Sequence, residues 1–128
     1  MANEPKSIIT KWMQYCMICG KPTEEIHHAL WGNKHKLADQ DHLLMPLCSY
    51  HHNSMNLYEV KRKPVTNMSV HHCEEMKALS QMLAQVCWQR QYLAEKLSEF
   101  DELGHQSAED WIEESANAFK NRYGEYYL

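Results

Sequence analysis

Two pairs of soft ligands frame the first part of this 128-residue chain. Cys16 and Cys19 stand two residues apart, with Gly20 directly after the second thiol, and Cys48 and His51 repeat the spacing. A Cys-x-x-Cys turn holds two thiolates about one ligand spacing apart. A Cys-x-x-His pair at the start of a helix supplies two more corners. Four such ligands complete a tetrahedral Zn²⁺ and leave no open position, the arrangement of a structural site. Were Cys16 and Cys19 merely small core residues, the second pair would go unexplained. The 28 residues between Cys19 and Cys48 exceed the span of a simple finger, so they must hold structure of their own. Cys73 and Cys87 fall in a helical stretch and read as buried helix-face thiols. Five cysteines in this company point to metal rather than to a disulfide framework.

Once four ligands are spent on zinc, His27, His28, His42, His52 and His71 or His72 remain. A purely structural zinc module has no use for them. His27 and His28 are adjacent on a strand, so their side chains face opposite ways and imply two roles. His52 follows His51 and, on a helix, points about 100° away from it, so one helix can serve two metal sites. His35, His72 and His105 read as ordinary surface histidines.

The elements that must position these groups follow from pattern. Residues 5–14 suit a short helix with Ile8, Ile9, Trp12 and Met13 on its apolar face. Residues 21–25 form a polar turn around Pro22, and residues 26–30 a short strand. Residues 31–41, polar and holding Gly32 and Asn33, read as a loop. Residues 42–47 form a second strand with Pro46 near its end. Residues 48–58 start a helix capped by Ser49 or Cys48, and residues 61–67 are a basic loop. A long amphipathic helix then begins with Ser69 or Asn67 as N-cap and Glu74 and Glu75 in its first turn. Met76, Leu79, Leu83, Val86, Arg90, Leu93, Leu97 and Phe100 follow steps of three and four, and seven of these eight are apolar. The helix ends before Gly104. Ser107 and Asp110 resemble a capping box opening a last helix through Trp111, Ile112, Ser115 and Phe119, closed by Gly124.

Glu25-Ile-His27-His28, the glycine-containing loop and Leu47-Cys48-Ser-Tyr-His51-His52 together resemble the HNH, or ββα-metal, nuclease family. More narrowly they are similar to small phage-type members with Cys-x-x-Cys, a His-His pair, Leu-Cys-x-x-His-His and a later Val-His. The motifs cover residues 16–56 closely and 70–128 loosely, the aromatic ending 123–128 included. The resemblance implies an α+β fold: a small treble-clef-like ββα-metal core stabilised by zinc at residues 1–68, then a helical C-terminal arm at 69–128. It implies His27 as metal ligand, His28 as the general base and His52 as a second ligand. A further ligand falls at Asn56, with His71 as the alternative. The middle residue that props the loop matches His42 best, with Asn33 and His35 as substitutes. The implied activity is metal-dependent DNA endonuclease chemistry, with Mg²⁺ or another divalent ion at the catalytic site. Phosphodiester hydrolysis needs an activated water and charge neutralisation at phosphate. A neutral histidine with a pKa of about 6.5 is a competent base, and a divalent ion stabilises the leaving 3′-oxygen.

The net charge of −4 is divided unevenly. Residues 1–70 carry eight Lys/Arg against six Asp/Glu, and residues 71–128 five against eleven. DNA would therefore meet the N-terminal half, where Lys34, Lys36, Lys61, Arg62 and Lys63 flank the expected site. Phosphate contacts of this kind give salt-dependent affinity with little sequence information. The apolar stripe of the long helix must pack back on the domain or pair with a second copy in a homodimer. A cytoplasmic location is expected, since residues 1–10 lack a secretory apolar core and no run is long enough to span a membrane. The alternative to an enzyme is a non-catalytic zinc module for DNA or protein, or a regulatory helical protein with a metal-stabilised head. The zinc module needs Cys16, Cys19, Cys48 and His51 and is indifferent to His28 and His52, and the acidic C-terminal half is the main support for the regulatory helical protein.

Overall fold

A computed structural model describes residues 6–53, 58–60, 63–65, 69–71, 73–99 and 107–128. Strand β1 (Glu25–His28) pairs antiparallel with β2 (Leu44–Leu47), Glu25 opposite Leu47 and His28 opposite Leu44. All four β2 residues are buried, one reason the run reads as apolar throughout. Pro46 is tolerated because its carbonyl accepts from Met17 N–H at 2.9 Å, away from β1. In an antiparallel strand a residue's N–H and C=O point to the same side, so the missing donor costs no ladder bond.

A short turn of chain caps this hairpin. Tyr15 bridges to Pro22, Gly20 N–H donates to the Cys16 carbonyl at 2.8 Å, and Gly20 takes a φ of 79°. A side chain would strain that left-handed position, which is why glycine follows the second thiol. The helix expected over residues 5–14 does not form in the described part of that stretch. Ser7 Oγ donates to the Leu44 carbonyl and Ile8 N–H to the His42 carbonyl, so this backbone is engaged with the segment entering β2.

The stretch 31–41 is not a loop. It forms a one-turn 3-10 helix (Gly32–Lys34) and then α1 (His35–Gln40). After Gly32 and Asn33 the residues are ordinary helix formers, and the buried Ala38 ties α1 to the core. Two hydrogen bonds close α1, Leu43 N–H to the Ala38 carbonyl and His42 N–H to the Asp39 carbonyl. This is the Schellman pattern, with His42 in the left-handed C′ position at φ 59°.

Helix α2 (Ser49–Asn53) is shorter than expected, and the chain then forms a hairpin, β3 (Tyr58–Val60) with β4 (Lys63–Val65). The basic loop expected at 61–67 is thus strand at Lys63–Val65. Ser69 does not cap the long helix. Instead Ser69 Oγ and Val70 N–H donate to the carbonyls of His52 and His51, at 3.0 and 2.8 Å. These are carbonyls of the end of α2, which a short helix leaves unpaired.

Helix α3 (Glu74–Glu99) has Glu74 and Glu75 in its first turn, and α4 (Ala108–Tyr123) opens on the expected capping box of Ser107 and Asp110. Gly124 ends α4 with a φ of 77°. Residues of both helices, Ala84, Phe119 and Tyr123, lie in the same buried cluster as Cys16, Leu30, Leu43, Leu47 and Val70. Asp41 ties these parts together. Its carboxylate accepts from Arg122 Nε and Nη2 at 2.5 and 2.7 Å, Trp88 Nε1 at 2.9 Å and the Tyr123 hydroxyl at 2.6 Å. A buried chain of amides joins α3 to α4, Gln85 to Gln89 to Ser115 Oγ, and Gln85 also accepts from Tyr127 N–H.

The face that α3 turns inward is only partly its apolar stripe: Met76 packs on the buried cluster, and Leu83 and Leu93 are half-buried. Ser80, Ala84, Gln85, Cys87 and Gln89 are buried, while Leu79 is 58 %, Val86 47 %, Met82 40 % and Leu97 39 % exposed. Small and amide side chains suit the inner face because they allow close helix approach and bond one another across it. Asn56, Lys61, Arg62, Asn67, His72, Phe100, Gly104 and His105 lie outside the described residues.

Candidate metal centres

The turn at 16–20 and the first turn of α2 bring Cys16, Cys19, Cys48 and His51 together, their ligand atoms all within 4.8 Å of one another. Cys48 Sγ lies 3.3 Å and Cys16 Sγ 3.8 Å from His51 Nδ1, and Cys19 Sγ lies 3.7 Å from Cys48 Sγ. None of the five cysteines is in a disulfide. Burial works against the Cys16 thiolate, but backbone hydrogen bonds from Cys48, Cys19 and Ile18 outweigh it and hold the thiol below its ordinary value. Burial pushes the Cys48 thiol up. Burial, and then the charge of Lys21, lowers His51 and favours the neutral ring that a metal requires. These four residues could hold a metal ion.

A second cluster forms on the other side of α2. His27 from β1, His52 from α2 and His71 from the segment bonded to α2 also place ligand atoms within 4.8 Å of one another. Their ring centroids stand 4.8 to 5.2 Å apart. His52 Nε2 and His71 Nε2 are 3.2 Å apart. Glu25 Oε2 accepts from His52 Nδ1 at 2.6 Å, which leaves Nε2 as the lone-pair nitrogen facing the cluster. His27 is 2 % exposed, and its Nε2 has no hydrogen-bond partner. Burial, reinforced by the neighbouring His71, His52, His28 and His35, drives His27 down to about 3. Trp31 walls the cluster, its ring 4.9 Å from that of His27 and 5.1 Å from that of His71.

His28, one residue along β1, faces away as strand geometry requires. Its Nε2 is 3.0 Å from Asp39 Oδ1, and its ring lies 3.8 Å from that of His35. The hydrogen bond to His28 holds the Asp39 carboxyl below the usual carboxylate range. A carboxylate on Nε2 fixes the proton there and leaves Nδ1 free to accept one.

Of the residues singled out in the sequence, the structure brings together Cys16, Cys19, Cys48 and His51, and separately His27, His52 and His71. His42 stands near enough to act through its charge on Asp39, the partner of His28. It terminates α1 and lines a cavity of about 370 Å³ with Trp88, Tyr92 and Arg122. Lys34 is half-buried and paired with Glu125 at 3.4 Å, whereas Lys36 is exposed. Beyond His35, which the sequence offers only as a substitute for the loop-propping residue, three partners were missed: Glu25, Trp31 and Asp39. Glu25 was within reach, since it shares the strand face of His27 two residues on. Trp31 and Asp39 carried no signal while their stretch read as a loop. Among the described residues no helix is long and apolar enough to cross a membrane. Comparison with protein-family models, with characterised proteins and with solved structures finds no match to this chain.

Proposed function

We propose that this chain is a metal-dependent DNA endonuclease of the HNH type, in which the β1–β2 hairpin and α2 form a ββα-metal core of treble-clef kind. One observation carries the reading: a buried His27 whose Nε2 lacks a partner, clustered with two further histidines and one residue from a His28–Asp39 pair. A buried polar atom without a partner costs free energy, and a bound cation removes that deficit.

The cysteine cluster suits structural Zn²⁺. Arms of about 2.3 Å to sulfur and 2.0 Å to nitrogen give tetrahedral edges of about 3.8 and 3.5 Å, near the distances between these side chains. The histidine cluster suits a different task, because three protein ligands leave positions for water and phosphate. Three imidazoles favour a borderline transition ion such as Mn²⁺, Co²⁺ or Zn²⁺ over the hard, oxygen-seeking Mg²⁺. A divalent ion there supplies charge neutralisation at the scissile phosphate and at the leaving oxygen.

The protein's own groups divide the remaining work. His28 Nδ1 takes a proton from the attacking water as the new P–O bond forms. The P–O3′ bond breaks with its electron pair going to O3′, which takes a proton from solvent water, giving 5′-phosphate and 3′-hydroxyl ends. Asp39 holds the His28 proton on Nε2 and stabilises the imidazolium that results. Glu25 fixes the orientation of His52, and Trp31 limits water access to the cluster. Exposed Lys36 is placed to meet backbone phosphates.

The test is a plasmid-nicking assay with Mn²⁺, Co²⁺, Zn²⁺ or Mg²⁺, comparing wild type with a folded, zinc-loaded His28→Ala variant. Cleavage by wild type that the variant loses is the expected result. Equal cleavage by both would remove His28 from the reaction. No cleavage by either, on supercoiled, linear, single-stranded or branched DNA, would replace the enzyme with a non-catalytic zinc module.

A further inference from the structure

The strongest unexplained surface is the outward side of α3. At 100° per residue, positions 75, 79, 82, 83, 86, 90, 93 and 97 fall within an arc of about 100°. They are Glu75, Leu79, Met82, Leu83, Val86, Arg90, Leu93 and Leu97. Leu79, Met82, Val86 and Leu97 are among the most exposed large apolar side chains of the molecule. The buried residues Ser80, Ala84 and Cys87 occupy the other side of the helix. The stripe therefore contributes little to the intramolecular core, yet it keeps the three-and-four spacing of a helix–helix seam.

We infer that this stripe docks against the same stripe of a second copy of the chain, with the two α3 helices antiparallel. The charges choose that occupant. Glu75 and Arg90 are both exposed and sit on the seam face at opposite ends of its central stretch. In an antiparallel pair centred between Met82 and Leu83, Glu75 meets the partner subunit's Arg90, and Arg90 meets the partner subunit's Glu75. The same register sets Leu79 against the partner subunit's Val86 and Met82 against the partner subunit's Leu83. One two-fold axis satisfies every one of these pairings, so the stretch from Glu75 to Arg90 is complementary to itself, with Leu93 and Leu97 beyond the overlap of the two helices. A parallel pair in register would set Glu75 against the partner subunit's Glu75 and Arg90 against the partner subunit's Arg90. The inference does not rest on the hydrolytic reading and survives its failure.

Sedimentation velocity on the metal-loaded full chain, across micromolar concentrations, tests it. Wild type is expected to dimerise, and Val86→Glu to be monomeric with an unchanged far-UV spectrum. Glu75→Arg and Arg90→Glu alter exposed positions, and an unchanged far-UV spectrum in each is required because Glu75 also stands in the first turn of α3. Each alone is expected to weaken the dimer several-fold by setting like charges opposite, and the double variant Glu75→Arg/Arg90→Glu to restore it. A monomeric wild type, or a dimer indifferent to Val86→Glu, overturns the surface. A double variant that fails to restore association overturns the antiparallel register.

Discussion

A buried imidazole nitrogen without a partner is destabilising by roughly 1–3 kcal/mol, and His27 carries one. His27→Leu removes the unpaired nitrogen and keeps an apolar shape. The metal-free variant is therefore expected to melt no lower than metal-free wild type. It should also show no thermal gain when Mn²⁺ or Co²⁺ is added to the zinc-loaded chain, whereas wild type should. A melt that rises equally in both would place the second ion elsewhere. Partners of ligands and bases act through orientation. Glu25→Gln is expected to weaken binding of the second ion by about 10–100-fold, read by titration. Asp39→Asn should slow cleavage by a similar factor while leaving metal content unchanged. At this scale the sequence was most legible where chemistry follows from spacing. The two Cys-x-x pairs and the divergence of His51 from His52 needed no tertiary knowledge. His71 was written as one of two alternatives because its approach depends on Ser69 and Val70 bonding to α2, a contact between segments far apart in sequence.

Among the elements, α1 shows how a pattern misleads. Gly32 and Asn33 are turn residues, and with Lys34 they do form a 3-10 turn, Gly32 at φ 70°. The six residues that follow nevertheless form a helix whose end is set by His42. His42 had been matched to the loop-propping position from its place before the second strand, a place that α1 also needs for its C′ residue. His42→Gly is expected to stabilise the fold by about 1 kcal/mol, because glycine reaches a left-handed conformation without strain. Cleavage should be unchanged, and a loss would return His42 to the site. The last helix was legible at both ends, since Ser107, Asp110 and Gly124 are local signals with local causes. The long helix was legible as a helix, but its inward face was not. Periodicity marks an apolar stripe and cannot say whether the core or another molecule will cover it.

On the scale of the whole molecule, the C-terminal aromatics fasten the helical part to the hairpin part. Burial raises the Tyr123 hydroxyl, with the Asp41 carboxylate it donates to adding to the effect. Burial, and then Glu125, pushes Tyr127 up to about 12. Each phenol is neutral in the fold and has a folded pKa above its ordinary value near 10. The stability they contribute is thus complete below pH 10 and is lost as pH rises toward and through 12. Thermal melts should fall over that interval, with phenolate absorbance rising in step, and Tyr127→Phe should reduce the fall. Within this body α2 has five residues, and adjacent ones, His51 and His52, reach into separate clusters. A helix so short cannot settle one of these rings while the other wanders. Metals bound at the cysteine cluster and at the histidine cluster would then be thermodynamically coupled, each changing the other's affinity by the same factor. On the metal-binding reading, loading would acquire an order, since a closed thiolate cage is the stronger trap and the histidine triad would fill behind it. A newly made chain that has not yet closed the cage also lacks an assembled triad, so on the hydrolytic reading it is harmless to the DNA around it until it has folded.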